Sequence, residues 1–199
     1  MKALEVKNKL QGHYYLNGFN ISCTEFGVYE GWADVFIIQK NGYTHEFEVK
    51  VSIPDLMSEI KVIEYIMHGE DPHFMPEKFV RAKYAKHLGS LENADYICNN
   101  SHPLAHVIPN KFSFVVPDEL YARLLRGGLK SKYYQIIQLL DECGYGFYLI
   151  SQSKSTWDCL ERIVQPRFIH KNKKDVMTQF ARRLFTENYN NFISKPINL

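Results

Sequence analysis

Long apolar runs are missing from this sequence of 199 residues, and none approaches the length that spans a bilayer. No secretory signal pattern precedes the first motif, so the chain is expected to be soluble and cytoplasmic, with no membrane partner. Cysteine is scarce. Cys23, Cys98, Cys143 and Cys159 are widely spaced with no C-x-x-C pair, which fits buried reduced thiols better than a disulfide framework or a zinc site. Excess charge of one sign is also absent. The net charge is only +2, so any affinity for a polyanion must come from local patches. Internal repeats and low-complexity linkers do not occur, nor does a nucleophile elbow, a P-loop or a dinucleotide-binding fingerprint. What remains is a globular composition, 45% hydrophobic and 14% aromatic, sufficient for a real core in one domain, or one domain with an extension.

One pattern stands out against that background. Asp34 lies in Trp32-Ala33-Asp34-Val35-Phe36-Ile37-Ile38, and Glu48-Val49-Lys50 lies 14 residues further on. Lys40-Asn41-Gly42-Tyr43 between them is a strong turn signal. A hairpin over about 33–39 and 43–51 is expected, with two acids and a lysine on its arms. Carboxylates held close repel each other unless a cation sits between them.

The turn decides which faces these side chains take. A two-residue turn at Asn41-Gly42 would put Asp34 opposite Val49, on the other sheet face from Glu48 and Lys50. A three-residue turn over Lys40-Asn41-Gly42, with Gly42 left-handed, shifts the register by one. Asp34 then faces Glu48, Lys50 shares their side, and Val35, Ile37, Phe47 and Val49 gather on the other. The second register separates charge from apolar surface better and is the one expected. Glu46, Glu48 and Lys50 also alternate with Phe47, Val49 and Val51, as in any half-exposed strand.

The rest of the chain supplies the frame. Residues 1–11 suit a short helix ended by Gly12, and Tyr14 to Glu25 a strand. Ser52-Ile53-Pro54-Asp55 reads as a helix start, with Ser52 as cap, Pro54 in the first turn and Asp55 at the positive end of the dipole. That helix reaches about Met67 and stops at Gly69. A second helix over about 76–88 has Val80, Tyr84 and Leu88 as its apolar row. Lys78, Lys83, Lys86 and His87 cover most of its remaining surface. Tyr96-Ile97-Cys98 suits a short strand and Phe112 to Val116 a firmer one, closed by Pro117. Helices follow over 118–126 and 132–143, then a strand at Tyr145–Ile150. The tail from about Thr156 reads as helical in two pieces, the second with Val176, Phe180 and Leu184 on one stripe. Paired strands first, then strands alternating with helices, indicate an α/β fold with a mixed sheet flanked by helices. The histidine groups His68, Asp71, His73 and His102, His106 lie on no secure helix and read as loop residues.

The order of elements and the Asp…Glu-x-Lys core resemble the PD-(D/E)XK nuclease superfamily, and most closely the MmcB-like DNA-repair endonucleases. Three segments carry the likeness. They are Ala33-Asp34-Val35 with Glu48-Val49-Lys50-Val51-Ser52 and Asp55-Leu56; Asn110 to Pro117; and Tyr145 to Ile150. The likeness covers about residues 20–150 with a gap, but not the tail. It implies a restriction-endonuclease-like αβββαβ core over 1–155 with a helical insertion at about 62–88, while residues 156–199, outside the likeness, read as a C-terminal helical extension packed on that core. It also implies that Asp34 and Glu48 hold Mg²⁺ or Mn²⁺, with the Val49 carbonyl completing the shell, and that Lys50 is the catalytic lysine. Glu25 matches the upstream acid of the family, with Glu30 a weaker candidate. Ser52 and Asp55 match family positions next to the site, although helix capping accounts for both. The family soon follows its Asp-Phe pair with a basic pair; here Lys61 comes early and Lys86-His87 late, across the inserted stretch.

The function so implied is metal-dependent DNA cleavage, endo- or exonucleolytic, in repair, recombination or phage and mobile-element DNA processing, in a bacterial or phage-infected cell. The expected partner is DNA, recognised by structure or by its ends, through Lys61, Lys78, Lys83, Lys86 and His87. Arg123, Arg126 and Lys130 around Gly127-Gly128, and Lys171, Lys173 and Lys174, are further candidate phosphate donors. A homodimer is left open as the assembly. The rival readings are a nuclease-fold protein that binds DNA or a partner without cutting, and a ligand-binding α/β domain.

Overall fold

The computed structural model describes residues 1–18, 20–69, 71, 74–100, 107–126, 130–173 and 176–193. A six-stranded sheet runs in the order β1-β2-β3-β4-β5-β6. Its strands are β1 (Ile21–Val28), β2 (Gly31–Ile38), β3 (Thr44–Val49), β4 (Lys111–Pro117), β5 (Gly146–Ile150) and β6 (Leu160–Val164). The first three form an antiparallel meander. β3, β4 and β5 are parallel, and β6 returns antiparallel to β5.

The sequence pattern explains the layering. β4 and β5 are almost wholly apolar, as strands covered on both faces must be. Phe112, Phe114, Val116, Phe147 and Leu149 pack with Leu56, Ile60 and Ile63 of α2 (Ile53–His68), with α5 (Asp118–Leu125) and with α6 (Lys130–Cys143). The alternate residues Val115, Tyr148 and Ile150 join Val35, Ile37, Phe47 and Val49 on the other face, under Val6 and Leu10 of α1 (Ala3–Leu16). The mixed sheet flanked by helices is thus the architecture formed.

The hairpin takes the three-residue turn. Gln39 N–H donates to Tyr43 O at 2.8 Å, Gly42 N–H donates to Gln39 O at 2.8 Å, and Gly42 has φ +81°. That conformation is nearly free only to glycine. The pairs Val35↔Phe47 and Ile37↔His45 follow from it.

Four local expectations are corrected. α1 continues to Leu16 rather than ending at Gly12, and β1 begins at Ile21 rather than near Tyr14. A Cβ at Gly12 would lie 2.8 Å from Thr156 Cγ2, so this glycine allows a close approach instead of ending a helix. Tyr14, held in the helix, packs its ring on Phe47 at 5.2 Å. The helix expected at 76–88 is α3 (Arg81–Leu91). Tyr96-Ile97-Cys98 lies in a helix, α4 (Ala94–Asn100), where Ala94 and Ile97 bury one turn against Ile108. In the tail, Thr156–Asp158 is a single 3₁₀ turn and Leu160–Val164 is β6. The partly β-branched segment Arg162-Ile163-Val164 covers the edge that β5 would otherwise expose. The second piece is helical: α7 (Met177–Ile193) follows Val176 and packs Val176, Phe180 and Leu184 against Cys23, Phe26 and Phe36. The residues after 155 therefore add a strand and a helix to the same sheet. Among the described residues, no helix is long and apolar enough to cross a membrane, and Cys23, Cys143 and Cys159 form no disulfide.

Candidate active site

Three acids stand in one row across β1, β2 and β3. The pairs Thr24↔Val35 and Phe26↔Ala33 place Glu25 across from Asp34. One residue beyond Val35↔Phe47, Asp34 comes across from Glu48. The β2–β3 ladder ends there. Val49 N–H, which would next bond a β2 carbonyl, instead donates to Asp34 Oδ2 at 2.8 Å. The row also coincides with a kink. Cys23 and Phe26 enter one cluster, as do Ala33 and Phe36, although an odd spacing should put them on opposite faces. Glu25, with φ +49°, takes up the turn.

Cations close on this row from three elements. Lys7 of α1 pairs with Glu25 and reaches Asp34 Oδ1 at 2.5 Å. Lys50 Nζ lies 2.9 Å from Glu48 Oε1, 2.5 Å from Glu59 Oε2 and 3.4 Å from Asp55 Oδ2. Lys86 of α3 pairs with Glu46 and lies 3.0 Å from Glu48 Oε2. Glu59, 1% exposed, also meets His87 Nε2 at 2.9 Å, and His87 Nδ1 is 3.3 Å from the Tyr145 hydroxyl. The outcome is an alternating lattice of acids and amines, buried at Glu46, Lys50, Glu59, Lys86 and His87 and open at Glu25 and Asp55.

The charges shift accordingly. Burial raises the Asp34 carboxyl, and Glu48 adds to the rise, against Lys7 and the Val49 N–H. Burial lifts Glu46 to about 7, with Lys86 opposing and Glu48 reinforcing. Burial alone would lower Lys50, but Glu48 and Glu59 outweigh it and hold the amine above the ordinary lysine value. Lys86 is raised in the same way by Glu46, Glu48 and Glu59. Glu59 is driven below the usual carboxylate range because His87, Lys50 and Lys86 overcome its burial.

The expected site residues divide into three groups. Asp34, Glu48, Lys50 and Glu25 come together as described. Val49 meets Asp34 through its N–H. Glu30 sits in the turn joining β1 to β2, with φ +55°, off the row of acids. Ser52 Oγ accepts the Asp55 N–H at 3.3 Å, a plain helix cap, whereas Asp55 also pairs with Lys50 and Lys83. Lys61 and Lys78 are exposed and line one groove along α2 with Met57, Tyr65 and Phe79.

Three residues expected to face nucleic acid turn inward instead. Lys83 pairs with Asp55 at 2.8 Å and Glu59 at 3.4 Å. Lys86 is 8% exposed and His87 fully buried. The reason is electrostatic: Glu46 and Glu59 are buried and the Glu48 side chain is mostly covered, and buried carboxylates need cations or donors beside them. Arg123, Arg126, Lys171 and Lys173 are exposed, and Lys173 rests over the Tyr43 ring at 4.4 Å. His68 pairs with Glu142 at 3.5 Å, and the Asp71 carbonyl accepts the Tyr65 hydroxyl at 3.3 Å. His73, His102, His106, Gly127, Gly128 and Lys174 lie outside the described residues, as does the Lys130 side chain.

Three members of the lattice, Glu46, Glu59 and Lys7, are not among the residues the sequence points to; Glu46 reads there only as one side of an alternating strand. Glu59 follows Asp55 by four residues and so shares its helix face, a signal that could have found it. Lys7 has no local signal, because its partners are far along the chain. Among the described residues, no group of three or more His, Cys, Asp or Glu side chains is arranged to hold a metal ion.

No protein-family profile matches the chain, and no curated protein matches it. Among solved structures it is similar to a protein of unknown function, SPO1766, from Silicibacter pomeroyi. The TM-score is 0.49 and the identity 13%, over 100% of this chain and 96% of that one.

Proposed function

We propose that this chain is a metal-dependent DNA nuclease built on a restriction-endonuclease-like core, acting in repair, recombination or mobile-element DNA processing. The observation that carries the reading is the meeting of Asp34 and Glu48 where β2 and β3 part, with the Lys50 amine 2.9 Å from Glu48. The donors fit the ion: carboxylates and a backbone carbonyl are hard oxygen ligands, suited to Mg²⁺ or Mn²⁺. Asp34 and Glu48 would hold it, with the Val49 carbonyl as a third donor. When bound, such an ion polarises a phosphodiester and acidifies water.

The chain's own groups supply the rest. Glu48 and Glu59 hold Lys50 protonated, and Asp55 beside it helps to fix its place, so the amine acts as a fixed positive charge toward a crowded phosphate rather than as a base. Exposed Lys61 and Lys78 would take the flanking phosphates, giving affinity that falls with salt.

One observation favours a second reading, a nuclease-fold protein that binds without cutting. Each carboxylate oxygen of Asp34 and Glu48 already has a protein donor. Incubation with single-stranded, duplex, flapped and branched DNA plus Mg²⁺ or Mn²⁺, beside Asp34→Ala, separates the two. Cleavage lost in the variant supports the nuclease. Salt-sensitive binding without cleavage supports the second reading.

A further inference from the structure

The four oxygens of the Asp34–Glu48 pair are satisfied as follows: Asp34 Oδ1 by Lys7 at 2.5 Å, Asp34 Oδ2 by the Val49 N–H at 2.8 Å, Glu48 Oε1 by Lys50 at 2.9 Å, and Glu48 Oε2 by Lys86 at 3.0 Å. The three amines are not held alike. Lys50 is also tied to Glu59 and Asp55, and Lys86 to Glu46; both are buried. Lys7 is different. Its ion pairs are with the row itself, Glu25 and Asp34, and the Glu25 side chain is 48% exposed. Its helix is anchored by fully buried Val6 and Leu10, so the amine can leave by rotation of its four-carbon stem alone.

A divalent cation on Asp34 Oδ1 would meet the Lys7 ammonium at the same oxygen. Like charges a few ångströms apart in a partly buried site repel strongly, and of the three amines Lys7 alone has no carboxylate outside the row to hold it there. We infer that Lys7 is a resident counter-ion of the Glu25–Asp34 pair, and that a divalent cation enters by displacing it. The inference rests on the metal-dependent reading above and adds a cation switch on α1. Until the ion arrives, Lys7 neutralises two acids that would otherwise repel each other and Glu48. Once displaced, the Lys7 amine is a free positive charge at the edge of the site.

The test is Mn²⁺ binding to the full chain, followed by the electron paramagnetic resonance signal of the free ion. The proteins are the wild type, Lys7→Met, Lys7→Arg, Asp34→Ala and Lys154→Met, the last controlling for net charge at an exposed lysine. Lys7→Met keeps the stem and removes the competing charge; it is expected to bind Mn²⁺ about tenfold more tightly than the wild type. Lys7→Arg and Lys154→Met should stay close to wild type, and Asp34→Ala should lose binding. A second measurement uses only wild-type protein, so it survives misfolding of a variant: amine acetylation of Lys7, read by mass spectrometry, should rise several-fold on adding Mn²⁺ while Lys154 is unchanged. Equal or weaker Mn²⁺ affinity in Lys7→Met, or unchanged Lys7 labelling with Mn²⁺ bound, overturns the displacement and leaves the metal site standing if Asp34→Ala still abolishes binding. No binding by wild type or Lys7→Met removes the metal reading, and the displacement with it.

Discussion

Asp34 accepts the Val49 N–H through Oδ2 at 2.8 Å, at the residue where β2 and β3 stop pairing. One carboxylate thus does two jobs. It completes the backbone of β3 at the splay, and it presents its charge to the site. The two jobs separate by mutation. Asp34→Asn keeps an oxygen for Val49 and loses the charge, so it should melt within a few degrees of wild type yet lose cleavage by roughly a hundredfold or more. Asp34→Ala loses both and should also fall by about 1–3 kcal/mol in urea unfolding.

Glu59 is the hub that Lys50, Lys83 and His87 share. Glu59→Gln keeps the volume but leaves the buried Lys50 amine short of a countercharge. Breaking one partner of such a set costs about 3–5 kcal/mol. Urea denaturation at neutral pH should show a loss of that order, larger than for Asp55→Asn, whose carboxylate is half exposed.

Glu46 has a pH signature. Its folded value, about 7, lies above the ordinary 4.5 because of burial. The folded state therefore holds a proton that the unfolded state has released between those values, and stability falls as pH rises from about 4.5 to 7. Glu46→Gln should remove that component, so the variant gains on wild type by up to about 3 kcal/mol between pH 5 and pH 7.5. Denaturant midpoints at the two pH values measure it; a constant difference would count against the shift.

Asn110 ties the C-terminal segment to the sheet. Its Oδ1 accepts from the Thr44 N–H at 2.8 Å and the Thr44 hydroxyl at 3.1 Å, and its Nδ2 donates to the carbonyls of His170 at 3.1 Å and Asn172 at 2.8 Å. Asn110→Ala leaves buried backbone groups unpaired and should destabilise by about 2–4 kcal/mol. Faster hydrogen exchange at Thr44 would locate the damage.

Lys61 and Lys78 are the outward-facing members of the expected DNA set. Lys61→Glu with Lys78→Glu should weaken DNA binding and lower the salt slope by about 2, with little change in melting temperature. Anisotropy titrations at several salt concentrations would show it. An unchanged slope would move the interface to the exposed Arg123–Arg126 or Lys171–Lys173 groups.

The hairpin, its turn and its register were legible because they are local. Lys40-Asn41-Gly42 admits few turns, and only one keeps charge and apolar residues on separate faces. The helix after Ser52 was legible for the same reason, since cap, proline and acid sit in sequence order. The segments misread were those whose neighbours lie far along the chain. Gly12 looks like a stop until Thr156 is seen beside it. Leu160–Val164 has no strong strand pattern of its own and is a strand because β5 offers it an edge. Lys83, Lys86 and His87 read as a solvated helix face until the buried Glu46 and Glu59, with Glu48 and Asp55, claim them.

By itself, then, the sequence determined the α/β layering, the bent hairpin and the alignment of Asp34 with Glu48, because periodicity and turn geometry act over a few residues. Tertiary structure alone decided which cations meet those acids. The choice of Lys7 from α1 and Lys86 from α3 over the other lysines is a matter of distance in space and of the cost of leaving a carboxylate buried without a partner, neither of which is written in any local pattern.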